Sequence, residues 1–179
     1  MSPSAIYIGI DPGVHACGVA VVQQNVLRHA MWARTQTAEA LDPDIVNATM
    51  RAVVLGISRP GPWAIYQPSD ELRFVVEMPE TENGRARGNA ATTDLLELCF
   101  VIGRIVEGIR NAFPGAHIAR APVSVWKRGV PTDALESRLF LAPPLGLTKE
   151  EHERVVWPAR SYRHNVVDAI ALARWGQGR

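Results

Sequence analysis

The stretch Ala5-Ile6-Tyr7-Ile8-Gly9-Ile10-Asp11-Pro12-Gly13, followed by Gly18-Val19-Ala20-Val21-Val22, decides the fold. The first run is short, apolar and rich in β-formers, which predicts a buried strand over 5–11. Asp11-Pro12-Gly13 breaks it, and the second run predicts a return strand over 18–22. Val26 to Arg34 continues with Leu27, His29 and Met31 in alternation, a third strand. Three consecutive strands read as a meander, with Asp11 at the mouth of its sheet.

Beyond the meander, residues 37–57 read as a helix capped near Thr37, with Pro43 near its first turn and Arg59-Pro60-Gly61-Pro62 at its end. Leu72 to Glu77 is a short buried strand, and the polar stretch Pro79 to Asn89 reads as an exposed loop. Thr92 or Thr93 caps a helix reaching about Ala112, whose Leu95, Leu98, Val101, Ile102, Ile105 and Ile109 share one face. Residues 116–121 form a fifth strand, ended by Pro122. Helical pieces are expected over 133–141, 148–156 and 162–175. The order βββαβαβ followed by helices is an α/β pattern. With no internal repeat, linker or low-complexity tail, residues 1–179 are expected to form one domain.

Hydrophobic content of 47% and charged content of 21% are those of an ordinary folded protein. No apolar run approaches the roughly 20 residues of a membrane span. Met1-Ser2-Pro3-Ser4 lacks the basic start of a secretory signal, so a cytoplasmic location is expected. Cys17 and Cys99 lie in apolar segments without zinc-site spacing and read as small core residues. Net charge is only +1, but residues 1–84 carry −4 and residues 85–163 carry +4. A cation pair on the acids of the first part would leave the basic middle to track a phosphate backbone. From charge alone, a solvated surface is the favoured account.

The chemistry rests on carboxylates at the ends of elements. Asp11 closes the first strand, Glu77 closes Phe74-Val75-Val76, and Asp168 lies within His164-Asn165-Val166-Val167-Asp168-Ala169-Ile170-Ala171-Leu172-Ala173. Acids at buried strand ends destabilise a fold unless something positive meets them. Pairing of the Glu77 strand beside the first would bring Glu77 to Asp11. His164 and Asn165 stand four and three residues before Asp168, on its own helical face, so either can join it. A cluster of carboxylates suits hard divalent cations, and a pair of these suits phosphodiester hydrolysis. The bland alternatives are a plain hairpin with an exposed Asp11 and a structural His beside a capping Asn. Trp126 reads as a core residue or a stacking surface, and Glu80 and Glu82 as solvated or substrate-facing loop residues. A strand-ending DxG turn also occurs in actin-like kinases, but those need two such halves and a much longer chain.

Taken together, "IGIDPGVHACGVAVV", "FVVEMPE", "APVSVWK" and "HNVVDAIALARWG" resemble the RuvC-type Holliday junction resolvases, as a divergent or phage-type member. The resemblance runs from Ile8 to Trp175. It implies a ribonuclease-H-like fold: a five-stranded mixed sheet, an antiparallel three-strand meander plus two parallel strands, flanked by helices. It implies a Mg²⁺-dependent endonuclease, with Mn²⁺ an alternative, that cuts branched DNA in pairs as a homodimer. Asp11, Glu77, Asp168 and a fourth group would hold two ions; His164 is the choice for the fourth and Asn165 the runner-up. Lys127 matches a family lysine near the scissile phosphate and counts among the catalytic residues. Arg85, Arg87, Lys127 and Arg128 are the expected DNA contacts, and the helix over 92–112 is a candidate dimer surface, with packing on the sheet the favoured reading for most of its residues. Two departures stand out: Glu80 replaces an aromatic wedge three residues after the strand-end acid, and Gly129-Val130-Pro131-Thr132-Asp133 lacks a second lysine. A nuclease acting on RNA–DNA hybrid, flap or RNA, or a catalytically weak DNA-binding module, is the competing reading.

Overall fold

Alternation along the first strand sorts the molecule into layers. In β1 (Ala5–Asp11), Ile6, Ile8 and Ile10 are fully buried on one face of the sheet. There they join Cys17, Val19 and Val21 of β2 (Ala16–Gln23) and Leu72, Phe74 and Val76 of β4 (Glu71–Met78). Two helices cover this face: α1 (Pro43–Ser58) through Ile45, Ala52, Val53 and Ile57, and α2 (Thr92–Ala112) through Val101, Ile102, Ile105, Val106 and Ile109. The apolar stripe of α2 is therefore spent on the sheet, leaving Leu96 and Phe100 exposed on its outer side. The opposite face packs on α6 (Arg163–Gly176), whose Val166, Val167, Ala169, Ile170 and Ala173 meet Ala20, Val22 and Leu27. This computed structural model describes residues 5–34, 43–58, 71–82, 85–86, 92–139 and 146–178.

The five-stranded sheet runs β3-β2-β1-β4-β7, with β3 spanning Val26–Arg34 and β7 spanning His117–Pro122. β1, β2 and β3 are antiparallel neighbours, and β4 and β7 run parallel to β1. The mixed sheet and its helical layers are those of the ribonuclease-H-like fold. β1 is central, so its C-terminal residue opens at the middle of one sheet end. The outer edge of β3 is covered: the backbone N–H of Leu27 donates to the buried Glu151 carboxylate at 2.6 Å, and Ala30 bridges Val155. Covering an edge strand in this way blocks unwanted pairing.

Several elements depart from expectation. β2 begins at Ala16, two residues earlier than read. The polar stretch after β4 contains a two-stranded pairing of β5 (Thr81–Glu82) with β6 (Arg85–Ala86), strands too short to carry any periodicity. A one-turn helix, α3 (Val123–Trp126), follows β7 directly and was not foreseen. α4 covers Thr132–Leu139, and α5 covers only Lys149–Glu153, where a helix to 156 was expected. Thr148 and Glu151 form a reciprocal capping box at the start of α5, and the bridge from Val155 to β3 then draws the chain out of the helix. Cys99 is exposed rather than in the core, while Cys17 is buried. The expected cap at Thr37 lies outside the described residues.

Candidate metal centre

Parallel pairing places Ile10 beside Val76, so the residues that follow, Asp11 and Glu77, emerge side by side from β1 and β4. Both have the parity of Gly9 and Val75, which puts them on the face covered by α6. That helix comes unusually close. A Cβ on Gly9 would stand 2.1 Å from the carbonyl oxygen of Ala169, and one on Gly18 would stand 1.9 Å from that of Asn165. Only hydrogen at these two positions lets the backbone of α6 rest on β1 and β2, and this contact delivers Asp168 to the same sheet end. Asp11, Glu77 and Asp168 each offer a carboxylate oxygen within 4.8 Å of the others.

Three acids this close oppose one another. Burial pushes the Asp11 carboxyl well above its ordinary range, and the Glu77 and Asp168 charges push it further. Burial also lifts Glu77 to about 7, against the Lys127 charge, which lowers it, with Asp168 adding to the rise. Lys127 answers part of this negative charge: its Nζ lies 2.6 Å from Asp168 Oδ2. The indole N–H of Trp126 donates to Glu77 Oε2 at 3.1 Å and fixes that side chain. Trp126 is itself buried, against Val75, Ala121 and Leu172. Asn165 donates from Nδ2 to the Ala16 carbonyl at 3.0 Å, while its Oδ1 is buried with no hydrogen-bond partner among the described residues. Three mutually repelling carboxylates and an orphaned amide oxygen on the helical face of Asp168 make an all-oxygen donor set that fits hard divalent cations.

His164 stands apart from this group, exposed at the start of α6. Lys127 reaches the cluster, and Arg128, beside it, is exposed in a turn with φ of 47°. Arg85 belongs to β6, and Arg87 lies outside the described residues. Glu80 caps α3: its carboxylate accepts from the Ser124 hydroxyl and, at 3.1 Å, from the Ser124 backbone N–H. The supporting role of Trp126 had no sequence signal beyond its adjacency to Lys127, because its partner is 49 residues away.

No protein-family model matches the chain, and no curated protein matches it. Solved structures do. A structure of T. thermophilus RuvC in complex with Holliday junction substrate aligns with a TM-score of 0.58 and 19% identity, covering 94% of this chain and 90% of that one. A second Thermus thermophilus RuvC structure aligns with a TM-score of 0.56 and 18% identity over the same shares. The fold is thus the RuvC fold over nearly the whole chain. None of the described helices is long and apolar enough to cross a membrane.

Proposed function

We propose that the chain is a metal-dependent, structure-selective DNA endonuclease that resolves four-way junctions by paired phosphodiester hydrolysis. The observation that carries this reading is the gathering of Asp11, Glu77 and Asp168 within 4.8 Å at the open end of the central strands. The shared fold supports it, since one of the similar structures holds a Holliday junction. The whole chain acts as one nuclease domain, in the cytoplasm with the DNA it serves, in recombination and repair.

Asp11, Glu77 and Asp168 would hold two Mg²⁺ or Mn²⁺ ions. Asn165 Oδ1 is the better fourth donor than His164, because it is buried and unsatisfied on the face of Asp168. Bound there, the ions would supply charge stabilisation to the phosphodiester and activation of water. Asp11, at the end of the central strand, would contribute its carboxylate to that pair. Trp126 orients Glu77. Lys127 contributes positive charge beside the attacked phosphate. Arg85, Arg87 and Arg128 would contact the DNA backbone. With its carboxylate engaged by Ser124, Glu80 orders α3 and Lys127 rather than entering the junction. Paired cuts need two sites, and a second copy of the chain, meeting the exposed Leu96 and Phe100 of α2, supplies the other.

The test is cleavage of end-labelled four-way junction, flap, linear duplex and RNA–DNA hybrid by the protein and its Asp11→Asn variant in Mg²⁺ or Mn²⁺. Paired symmetric nicks on the junction, lost in the variant, are expected. Preferential cleavage of hybrid or flap would move the function to another nuclease class, and no metal-dependent cleavage at all would sink the reading.

A further inference from the structure

A second feature shares the sheet end of the carboxylates. Asp11 pairs with Gly18, and Gly18 pairs with Trp32, so the three stand in one row across β1, β2 and β3. Trp32 stacks on Tyr162, the residue immediately before α6, with ring centroids 5.4 Å apart and planes 17° from parallel. The Arg34 guanidinium lies over both rings, 5.4 Å from the Tyr162 centroid and 6.0 Å from that of Trp32. Both rings are half-buried, and Arg34 is exposed. Among the described residues no carboxylate pairs with it.

We infer that Arg34 is a phosphate-binding residue that grips the nucleic-acid backbone beside the cleavage site, held ready by the Trp32–Tyr162 platform. Three physical facts support this. A guanidinium stacked on aromatic faces keeps its hydrogen-bonding edge free, and it has lost its rotamer freedom before ligand arrives. Its charge is unspent within the described fold, so it can neutralise a phosphate rather than exchange one partner for another. Its position suits the task. The row from Asp11 to Trp32 crosses two strand spacings, roughly 10 Å. Arg34 stands two residues further toward the open end, opposite Ala16. A strand crossing the carboxylates would therefore pass Arg34 within roughly three nucleotides of the attacked bond. Lys127 approaches the carboxylates from the β7 side, so Arg34 would hold the same strand from the β3 side. Phosphate contact of this kind is independent of sequence.

This inference rests on the nucleic-acid reading of the carboxylate site, and one experiment separates the two. Binding of fluorescent four-way junction is measured in Ca²⁺, across a salt series, for the full chain and for Arg34→Gln and Arg34→Lys, alongside thermal melting. Arg34→Gln is expected to bind roughly tenfold more weakly, with the slope of log K against log[salt] smaller by about one and the melting temperature unchanged. Arg34→Lys should restore the slope and part of the affinity. An unchanged slope and affinity in Arg34→Gln, with the wild type binding normally, would overturn the Arg34 assignment alone. A lowered melting temperature with an unchanged slope would do the same and make the stack structural. No binding by the wild type would overturn this assignment along with the resolvase reading. Arg34-dependent binding without cleavage would leave Arg34 in place and remove the nuclease.

Discussion

Lys127 Nζ lies 2.6 Å from Asp168 Oδ2, an ion pair formed inside the carboxylate cluster by residues 41 apart in sequence. The pair is largely shielded, with side-chain exposures of 14% and 5%. Lys127 therefore offsets the charge of the acids, and a cation binding Asp168 would compete with it. Removing one partner of a shielded pair leaves the other uncompensated. Lys127→Met should lower the stability of the metal-free protein by about 3 kcal/mol. Added Mg²⁺ or Mn²⁺ should then raise its melting temperature more than it raises that of the wild type. Denaturant unfolding in EDTA and in excess metal measures both, and equal metal-induced shifts in the two proteins would contradict the competition.

The raised acids also set a pH dependence. Glu77 titrates at about 7 in the fold and has an ordinary value of 4.5. Between these limits the folded protein holds a proton that the unfolded chain releases, so stability is fully present below about pH 4.5 and falls as pH rises through 7. Asp11 shifts in the same direction. The metal-free protein should melt at a lower temperature at pH 8 than at pH 5. Glu77→Gln should reduce that difference by about 3 °C or more, because the amide keeps an acceptor for Trp126 without the charge. A melting profile in EDTA whose pH slope is the same in both proteins would show that Glu77 does not carry the effect.

Gly18 tests whether the geometry of the centre depends on the closeness of α6. A methyl group there would meet the Asn165 carbonyl at 1.9 Å, a backbone atom that cannot swing away. Gly18→Ala should destabilise the fold by about 3 kcal/mol and reduce cleavage at least tenfold even where the protein remains folded, because α6 lifts and carries Asp168 with it. Gly103, whose would-be Cβ meets nothing within 4 Å among the described residues, is the packing control: Gly103→Ala should leave the fold no less stable. Circular dichroism melts and cleavage rates on the same preparations decide it.

The carboxylate grouping was legible because it follows from strand logic. A run of alternating β-formers has a definite end, and Asp11 and Glu77 stand at two such ends, while Asp168 lies on a helix rich in small residues. The role of the glycines was not legible. Their presence alone does not say what passes close to them, and the space at Gly9 and Gly18 is taken by α6 itself. Close helix packing and close ligand approach both require a missing side chain, and only the three-dimensional path of the helix separates them. The Lys127–Asp168 and Trp126–Glu77 contacts were hidden for a related reason. Each joins the helix turn after β7 to a different element, and no local periodicity encodes such a distance.

The choice between His164 and Asn165 turned on helix phase, and it yields the last prediction. Both share a face with Asp168, one turn before it, so spacing alone could not separate them. The approach of α6 to β2 does: it turns Asn165 inward, where its Nδ2 holds the Ala16 carbonyl, and leaves His164 exposed. Asn165 Oδ1 is left buried without a donor among the described residues, a state that costs about 1–3 kcal/mol and that a bound cation would relieve. His164→Ala should therefore cleave within about threefold of the wild-type rate, with the same Mg²⁺ requirement. Asn165→Ala should cleave at least tenfold more slowly and need more Mg²⁺ to reach half its maximal rate. Calorimetric titration with Mn²⁺ separates lost metal binding from lost packing, since a purely structural Asn165 would lower the melting temperature and leave the affinity of the surviving folded protein intact. A variant pair with the opposite behaviour, His164→Ala impaired and Asn165→Ala active, would return the fourth position to the imidazole and require α6 to rotate when metal binds.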